Sequence, residues 1–331
     1  MSASLATELG VRRLLVAAGQ APSVLNTQPW RFRVVRGEYV ELLADQDRRL
    51  RVGDPRGRNQ HVSCGAALFN LRLAVRTAGR RPMVWLLPSP GEEPGLLAAV
   101  RVGEASPVPG ASRELYDLIP VRRTSRRPFL SRSLPRAVWE ELRLAASREG
   151  AALVRLGRHA TADLLDYAAI AEDQLARDHG YLAEVAAWTM RGARHDGLPG
   201  YVHGPRALRD PSPVRDFGQH DSEARFEERP QLAVLTTMGD RPADWLRAGQ
   251  ALQRVLLVAA LHGVSASFLN QPLDLRDMRS RRDPRHRRGH PQMIIRLGYG
   301  PYVARSPRRP AGELAAGSAI SKPIARAGPY S

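Results

Sequence analysis

Gly65-Ala66-Ala67-Leu68-Phe69-Asn70-Leu71-Arg72-Leu73-Ala74 and Gly249-Gln250-Ala251-Leu252-Gln253-Arg254-Val255-Leu256-Leu257-Val258 are two versions of one segment. Each opens on a glycine, and a second glycine follows fourteen residues later, at Gly79 and Gly263. Leu68, Leu71 and Leu73 in the first match Leu252, Val255 and Leu257 in the second. A run that is apolar on nearly every side reads as a helix buried in a core. The closing glycines suit C-cap positions. Short apolar segments, Val84–Leu87 and Ser265–Leu269, follow as strand candidates.

A second pair lies upstream of these helices. Arg12–Ala18 parallels Glu140–Ala146 at an offset of 128, whereas the glycine helices are offset by 184. The second copy is therefore 56 residues longer (184 less 128), and the extra chain falls within about 155–228. Helical patterns at Ala160–Asp178 and Tyr181–Met190 occupy it. Chance likeness between alanine- and leucine-rich helices is the competing explanation. Read as a duplication, the chain divides into a first unit at 1–119 and a second at 120–331.

Strand candidates flank the helices. Phe32–Arg36 and Tyr39–Leu43 alternate about Gly37-Glu38 like a hairpin, and Gln231–Thr237 and Met293–Gly298 are β-prone. Helices mixed with hairpins predict an α+β fold, with helices packed on mixed or antiparallel sheets. No G-x-G-x-x-G follows a strand, and there is no P-loop.

Composition narrows the function. The 331 residues carry 50 Lys+Arg against 33 Asp+Glu, a formal +17, with 43% hydrophobic and 25% charged residues, which is ordinary for a globular chain. Lys322 is the only lysine, so the arginine excess has a compositional cause. Its densest run, Arg276–Arg288, contains Pro284, meets Gly289 and holds no aromatic residue, so it reads as a solvated loop and argues against nucleic acid. The lone Cys64 excludes an intramolecular disulfide framework and reads as a core residue. His195, His286 and His290 lack metal-ligand spacing. Val255–Leu269 is shorter than the roughly 20 residues a membrane helix needs. Leu14–Ala18 is too brief for a signal-peptide core, so a cytoplasmic protein is expected.

Four stretches have the composition of a ligand site. Ala21-Pro22-Ser23-Val24-Leu25-Asn26-Thr27-Gln28-Pro29-Trp30 is stiffened by two prolines and offers Ser23, Asn26 and Gln28 as neutral hydrogen-bonding groups. That suits the edge of a planar heterocycle, although an ordinary helix-to-strand connection would read the same way. Arg122-Arg123-Thr124-Ser125-Arg126-Arg127-Pro128-Phe129 interleaves guanidinium and hydroxyl groups as a phosphate cradle does, or as an exposed linker might be composed. Ser306-Pro307-Arg308-Arg309-Pro310 offers two more cations. In Asp196-Gly197-Leu198-Pro199, Gly197 permits close approach of backbone to a ring.

Together, A-P-S-x-x-N-x-Q-P-W, R-R-T-S-R-R-P-F and the late G-Y-G…P-R-R-P resemble the FMN-binding nitroreductase family. The likeness is to the actinobacterial Acg branch, in which two nitroreductase-like units are fused, and it spans roughly residues 5–315. It implies an intramolecular pseudo-dimer, monomeric or weakly dimeric. Such a protein would bind FMN and pass hydride from NAD(P)H through flavin N5 to a small acceptor. It also implies that Arg122, Thr124, Arg126, Arg308 and Arg309, with Arg123, hold the phosphate. Pro22, Ser23 and Asn26, backed by Gln28, would line the flavin, with Gly197 and Leu198 beside its ring. The resemblance names no catalytic acid or base.

Two departures shape the expectation. The first unit lacks an arginine-hydroxyl motif before its helix, and Arg148-Glu149-Gly150-Ala151 stands where the second unit should carry its Asn-x-Gln-Pro-Trp loop. One FMN per chain is therefore expected rather than two. The insertion is expected to act as a lid, which leaves a second possibility: a protein that stores FMN without turning it over.

Overall fold

The computed structural model describes residues 8–189, 194–218, 220, 222–275 and 289–316. The arginine run at 276–288, His286 included, lies outside them. Helix α1 (Glu8–Gly19) leads into the loop at 20–29. β1 (Trp30–Val35) and β2 (Tyr39–Ala44) then form the expected hairpin. Arg36 and Gly37 both take left-handed φ, +53 and +64, and Glu38 N–H donates to the Val35 carbonyl oxygen. That turn matches the twist of the strands it joins. α2 (Arg58–Thr77), β3 (Arg80–Leu86), β4 (Leu96–Ala105) and α3 (Gly110–Asp117) follow.

The remaining chain has a similar plan. α4 (Arg136–Ser147) precedes β5 (Ala152–Arg155). Next come α5 (Arg158–Leu175), α6 (His179–Thr189) and a parallel pair of two-residue strands, β6 (Arg206–Ala207) and β7 (Glu223–Ala224). β8 (Gln231–Thr237), α7 (Pro242–Leu261), β9 (Ser265–Phe268), α8 (Gln271–Asp274), β10 (His290–Gly298) and α9 (Ala311–Leu314) complete it.

Two four-stranded antiparallel sheets result, ordered β1-β2-β4-β3 and β5-β8-β10-β9. Numbered along the chain within each sheet, both read first, second, fourth, third. α1 and α4 start 128 residues apart (8 and 136), and α2 and α7 start 184 apart (58 and 242). The connection between β5 and β8 contains α5, α6 and the β6/β7 pair, where β1 and β2 are joined by a tight turn.

One detail of the sequence reading is corrected. Gly65 and Gly249 do not open their helices; each lies in the middle of one, because α2 and α7 begin seven residues earlier, at Arg58 and Pro242. The glycines mark where the helices meet. A methyl group built on Gly65 would lie 3.0 Å from the Gly249 Cα and closer still to the Leu246 carbonyl oxygen. Built on Gly249, it would lie 2.8 Å from the Gly65 Cα and press on the Val62 carbonyl oxygen. Each helix also enters the other half's core: Leu246 and Leu257 pack with the first sheet's cluster, and Val62 with the second's. Buried beside the crossing, the Gln253 side-chain amide donates to Asn70 Oδ1 at 2.8 Å.

The segment around α9 returns to the first sheet. Leu314 is buried in the first core against Gly19, Ala315 bridges to Phe32, and Ala316 N–H donates to the Phe32 carbonyl oxygen. Cys64 is buried as expected, its thiol donating to the Pro29 carbonyl oxygen and its ionisation pushed up by burial. Among the described residues no helix is long and apolar enough to cross a membrane, and no group of His, Cys, Asp or Glu forms a metal site.

Gly249→Ala should destabilise the protein by about 1–3 kcal/mol or more, because the new methyl meets backbone that cannot rotate away. Urea denaturation reads this as a lower midpoint. Gly91→Ala, with open space around it, should leave the midpoint nearly unchanged.

Candidate functional site

The loop after α1 is strained. Leu25, Asn26 and Gln28 all take positive φ (+46, +53 and +50), a region that only asparagine among them tolerates readily. A dense hydrogen-bond set holds it there. Ser23 Oγ accepts the Gln28 N–H at 2.9 Å, and Ser63 Oγ, on α2, accepts the Val24 N–H at 3.2 Å. Asn26 Nδ2 donates to the carbonyl oxygens of Gly197 (2.9 Å) and Pro307 (3.1 Å), while its Oδ1 accepts from Arg308 Nη1 at 2.9 Å. Two distant parts of the chain therefore converge on Asn26.

The motif at Arg122–Phe129 runs beside the second sheet. Thr124 bridges in parallel to Ala266 of β9, and Ser125 N–H donates to the Ala266 carbonyl oxygen at 2.8 Å. Phe129 anchors its far end. The Arg296 guanidinium lies 3.8 Å from the Phe129 ring centre, and Arg296 is fully buried in an ion pair with Glu227 at 2.6 Å.

These pieces surround one cleft. Its polar end is lined by Gln20, Pro22, Ser23, Asn26, Arg122, Arg123, Thr124, Arg126, Leu198, Phe268, Arg305 and Arg308. An adjoining hollow shares Pro22, Ser23, Arg126, Leu198 and Phe268 and adds Val24, Leu25, Asn59, Val62, Ser63, Arg215, Phe217, Leu252, Asn270, Met293 and the acidic Asp274. The hollow is apolar in body, with polar groups at its edges.

The electrostatics of the polar end are one-sided. Arg122 is 6% exposed, and its Nε and Nη1 are buried without a hydrogen-bond partner; Arg123 Nε, Ser125 Oγ and Arg308 Nε are in the same position. Among the described residues no carboxylate pairs with Arg122, Arg123, Arg305 or Arg308. Burial and the Arg123 charge push Arg122 down to about 10. Arg308 is pushed down to about 9 by burial and by Arg122, Arg305 and Arg123. Elsewhere in this protein a buried arginine does find an acid, as Arg296 does at Glu227, at 2.6 Å. Buried cations left facing one another need an anion from outside the chain.

The insertion packs against the loop after α1 and adds Leu198 to the cleft lining. Gly197 N–H donates to the Asn26 carbonyl oxygen, and Leu198 packs against Leu25 and Leu50. Arg48 pairs with Asp196 at 2.6 Å. The Glu184 carboxylate accepts the N–H groups of Arg51, Val52 and Gly53. Gly197 (φ +71) has no room for a side chain: a methyl there would lie 2.6 Å from the Trp188 carbonyl oxygen.

Of the residues singled out in the sequence, Pro22, Ser23, Asn26, Arg122, Arg123, Thr124, Arg126, Leu198 and Arg308 line the cleft together. Gln28, Gly197 and Arg309 stand behind it. Gln28 receives the Arg309 N–H on Oε1 and donates to the His195 carbonyl oxygen. Arg309 is turned away from Arg308: it bonds the carbonyl oxygens of Gln28, Trp30 and Glu313 and lies 3.5 Å from the Asp45 carboxylate. Adjacent residues in an extended chain point to opposite sides, so the two arginines separate. The sequence reading did not include Arg305, Arg215, Phe217 or Phe268. The first three lie in irregular loops with no periodic signal, and Phe268 reads there only as an apolar strand residue.

Behind the hollow, the N-terminus of α2 holds a buried polar knot. Asp54 accepts the Gln60 N–H at 2.8 Å, and Arg58 lies 3.6 Å from Asp274. Burial, with the Asp274 charge, raises the Asp54 carboxyl to about 6 against the pull of nearby N–H groups and Arg58. A folded value above the unfolded one means that stability is fully present below about pH 4 and is lost as pH rises through about 6. Asp54→Asn should therefore flatten the stability profile between pH 4 and 7, by on the order of 2–3 kcal/mol. Urea midpoints across that range measure it.

Comparison with known proteins places the chain in a family. A scan against protein-family models returns no match. The chain is 32% identical over 305 residues, covering 89% of its length and 86% of the relative's, to a Mycobacterium tuberculosis H37Rv protein named "Putative NAD(P)H nitroreductase Rv3131". It is 28% identical over 319 residues, 92% and 94% of the two chains, to that organism's "Putative NAD(P)H nitroreductase acg". A solved nitroreductase with bound FMN from Desulfitobacterium hafniense aligns at a TM-score of 0.38 and 14% identity, over 60% of this chain and 95% of that one. The chain belongs to the NAD(P)H nitroreductase family.

Proposed function

We propose that the protein is an FMN-dependent oxidoreductase and that its two halves act as the two subunits of an intramolecular pseudo-dimer sharing one flavin site. The observation that carries this reading is the carboxylate-free cluster of Arg122, Arg123, Arg305 and Arg308, with Arg122 buried, facing the strained loop at 21–30. A phosphate fits that cluster: it would satisfy the orphaned N–H groups of Arg122 and Arg308 and accept from Thr124. Pro22, Ser23 and Asn26 come from the first half and the arginine motif from the second, so both halves are needed.

FMN, when bound, supplies hydride exchange between NAD(P)H and a small acceptor. The chain's own part is to hold and shield. Arg122, Arg123, Thr124 and Arg308 bind the phosphate; Pro22, Ser23, Asn26 and Arg126 orient the planar body; Leu198 excludes water from one side. The α4–β5 turn carries no comparable loop, and its Glu149 is taken by Arg72 and Arg254. One FMN per chain follows.

The clamped insertion favours a second reading, an FMN-storing protein with little turnover. Anaerobic addition of NADH or NADPH to the FMN-loaded protein separates the two. Rapid loss of the yellow colour marks the oxidoreductase; persistent colour marks storage and overturns the first reading.

Arg122→Met tests the site directly. Losing charge-assisted contacts worth about 1.5–3 kcal/mol each should weaken FMN binding about tenfold to a hundredfold. The same change removes an unpaired buried charge, so the FMN-free protein should melt at a higher temperature than wild type. Unchanged FMN affinity would refute the phosphate assignment.

A further inference from the structure

A separate cavity opens where the second half makes only a short turn. By the offset of 128 that relates α1 to α4, Arg148 and Glu149 stand where Gln20 and Ala21 begin the loop at 20–29, yet β5 already follows at Ala152. The cavity beside this turn measures about 350 Å³ and lies between α2, α3, α4 and α7. It shares no lining residue with either part of the cleft assigned to the flavin. Its volume falls in the range of small-molecule sites, roughly 300–1,000 Å³. The wall is aliphatic, made by Leu73, Leu115, Leu144, Val258 and Leu261. Leu144 and Leu261 are 51% and 46% exposed, so apolar surface is left open at the mouth.

Both signs of charge face this wall. Glu149 accepts from Arg72 Nη1 on one carboxylate oxygen and from Arg254 Nη1 on the other, each at 2.7 Å. One carboxylate thus serves two guanidiniums. Arg72 Nη1 also donates to Gln250 Oε1, but Nε and Nη2 of both arginines bond no acceptor among the described residues. The Phe69 ring centre lies 5.9 Å from each guanidinium carbon, so the two gather at one end of the cavity. Of the other acids, Glu141 meets His262 at 2.9 Å, whereas Glu114 on α3 has no cation within ion-pairing distance among the described residues. With Arg76 and Arg148 the lining holds four arginines and three glutamates. A plain anion would be repelled by Glu114, and a plain cation by the arginines. A molecule bearing both charges satisfies the unused donors and the unpaired acid together.

We infer that this cavity binds a zwitterion with a short branched aliphatic body, that is, an aliphatic α-amino acid. Its carboxylate accepts from the free N–H groups of Arg72 and Arg254, its ammonium donates to Glu114, and its side chain packs on the aliphatic wall. The wall alone is unselective, and the paired charges give the site its direction, because charge-assisted hydrogen bonds discriminate more sharply than apolar contact.

Calorimetry on the full chain tests this with three probes that share one body: L-leucine, 4-methylpentanoate, which lacks the ammonium, and 3-methylbutylamine, which lacks the carboxylate. Leucine should bind at least about tenfold more tightly than either, since each missing charge removes a charge-assisted contact. Glu114→Gln, at an exposed position, should bring leucine down to the affinity of 4-methylpentanoate without weakening 4-methylpentanoate itself. Leu144→Trp, also exposed, should fill the mouth and abolish binding of all three. If 4-methylpentanoate or 3-methylbutylamine binds as tightly as leucine, the zwitterion site is overturned. Leucine binding that survives Leu144→Trp, or that Glu114→Gln leaves untouched, overturns it as well. So does the absence of leucine binding at millimolar concentration. Because the two sites share no residue, none of these results bears on whether FMN is bound in the cleft.

Discussion

The close approach of α2 and α7 at Gly65 and Gly249 is the constraint on which everything else is built. Helices that touch backbone to backbone leave no room for a side chain between them, so each must present its larger residues to the sheets on either side. That is why both helices are apolar nearly all round, and why each contributes to two cores. It also ties both sheets to one pair of helices. The loop after α1 is thereby carried to the arginine motif that starts the second half.

Around that frame the protein spends charge in two ways. Glu149 ties Arg72 on α2 to Arg254 on α7, and Glu227 neutralises Arg296 beneath Phe129. These pairs close on themselves. At the polar end of the cleft the arginines are gathered with no acid among the lining residues, and the adjacent loop holds three non-glycine residues at positive φ. Strain and unpaired charge in one place oppose stability, and the rest of the fold is what sustains them.

Much of this could be read from the sequence because it is local. The hairpin showed in its alternation, the cleft residues in their proline-stiffened and arginine-hydroxyl composition, and the plan of two similar halves in matched offsets. What escaped was what depends on the third dimension. β4 hides in Leu96-Leu97-Ala98-Ala99-Val100, a run buried on both faces that has no period-2 pattern. Gly65 and Gly249 read as helix openers because a glycine at a helix crossing and one at a boundary look alike in one dimension. Arg308 and Arg309 are indistinguishable by type, and only their opposite orientations divide them into a cleft residue and a brace. Arg215 and Phe217 arrive from a loop that local composition does not mark.

The partnership of α2 with α7 has a consequence for how the molecule is made. The ribosome finishes α2 on the order of ten to forty seconds before α7 emerges, at ordinary elongation rates of about 5–20 residues per second. During that interval the helix has its own sheet on one side and water on the other. The first sheet waits longer still, since Leu314 and Ala315, which seal it, are made after both helices. A nascent chain of this kind cannot mature one half at a time. Until α7 and Leu314 are made, the apolar faces they cover stay open to self-association, so its synthesis exposes more surface than its finished architecture suggests.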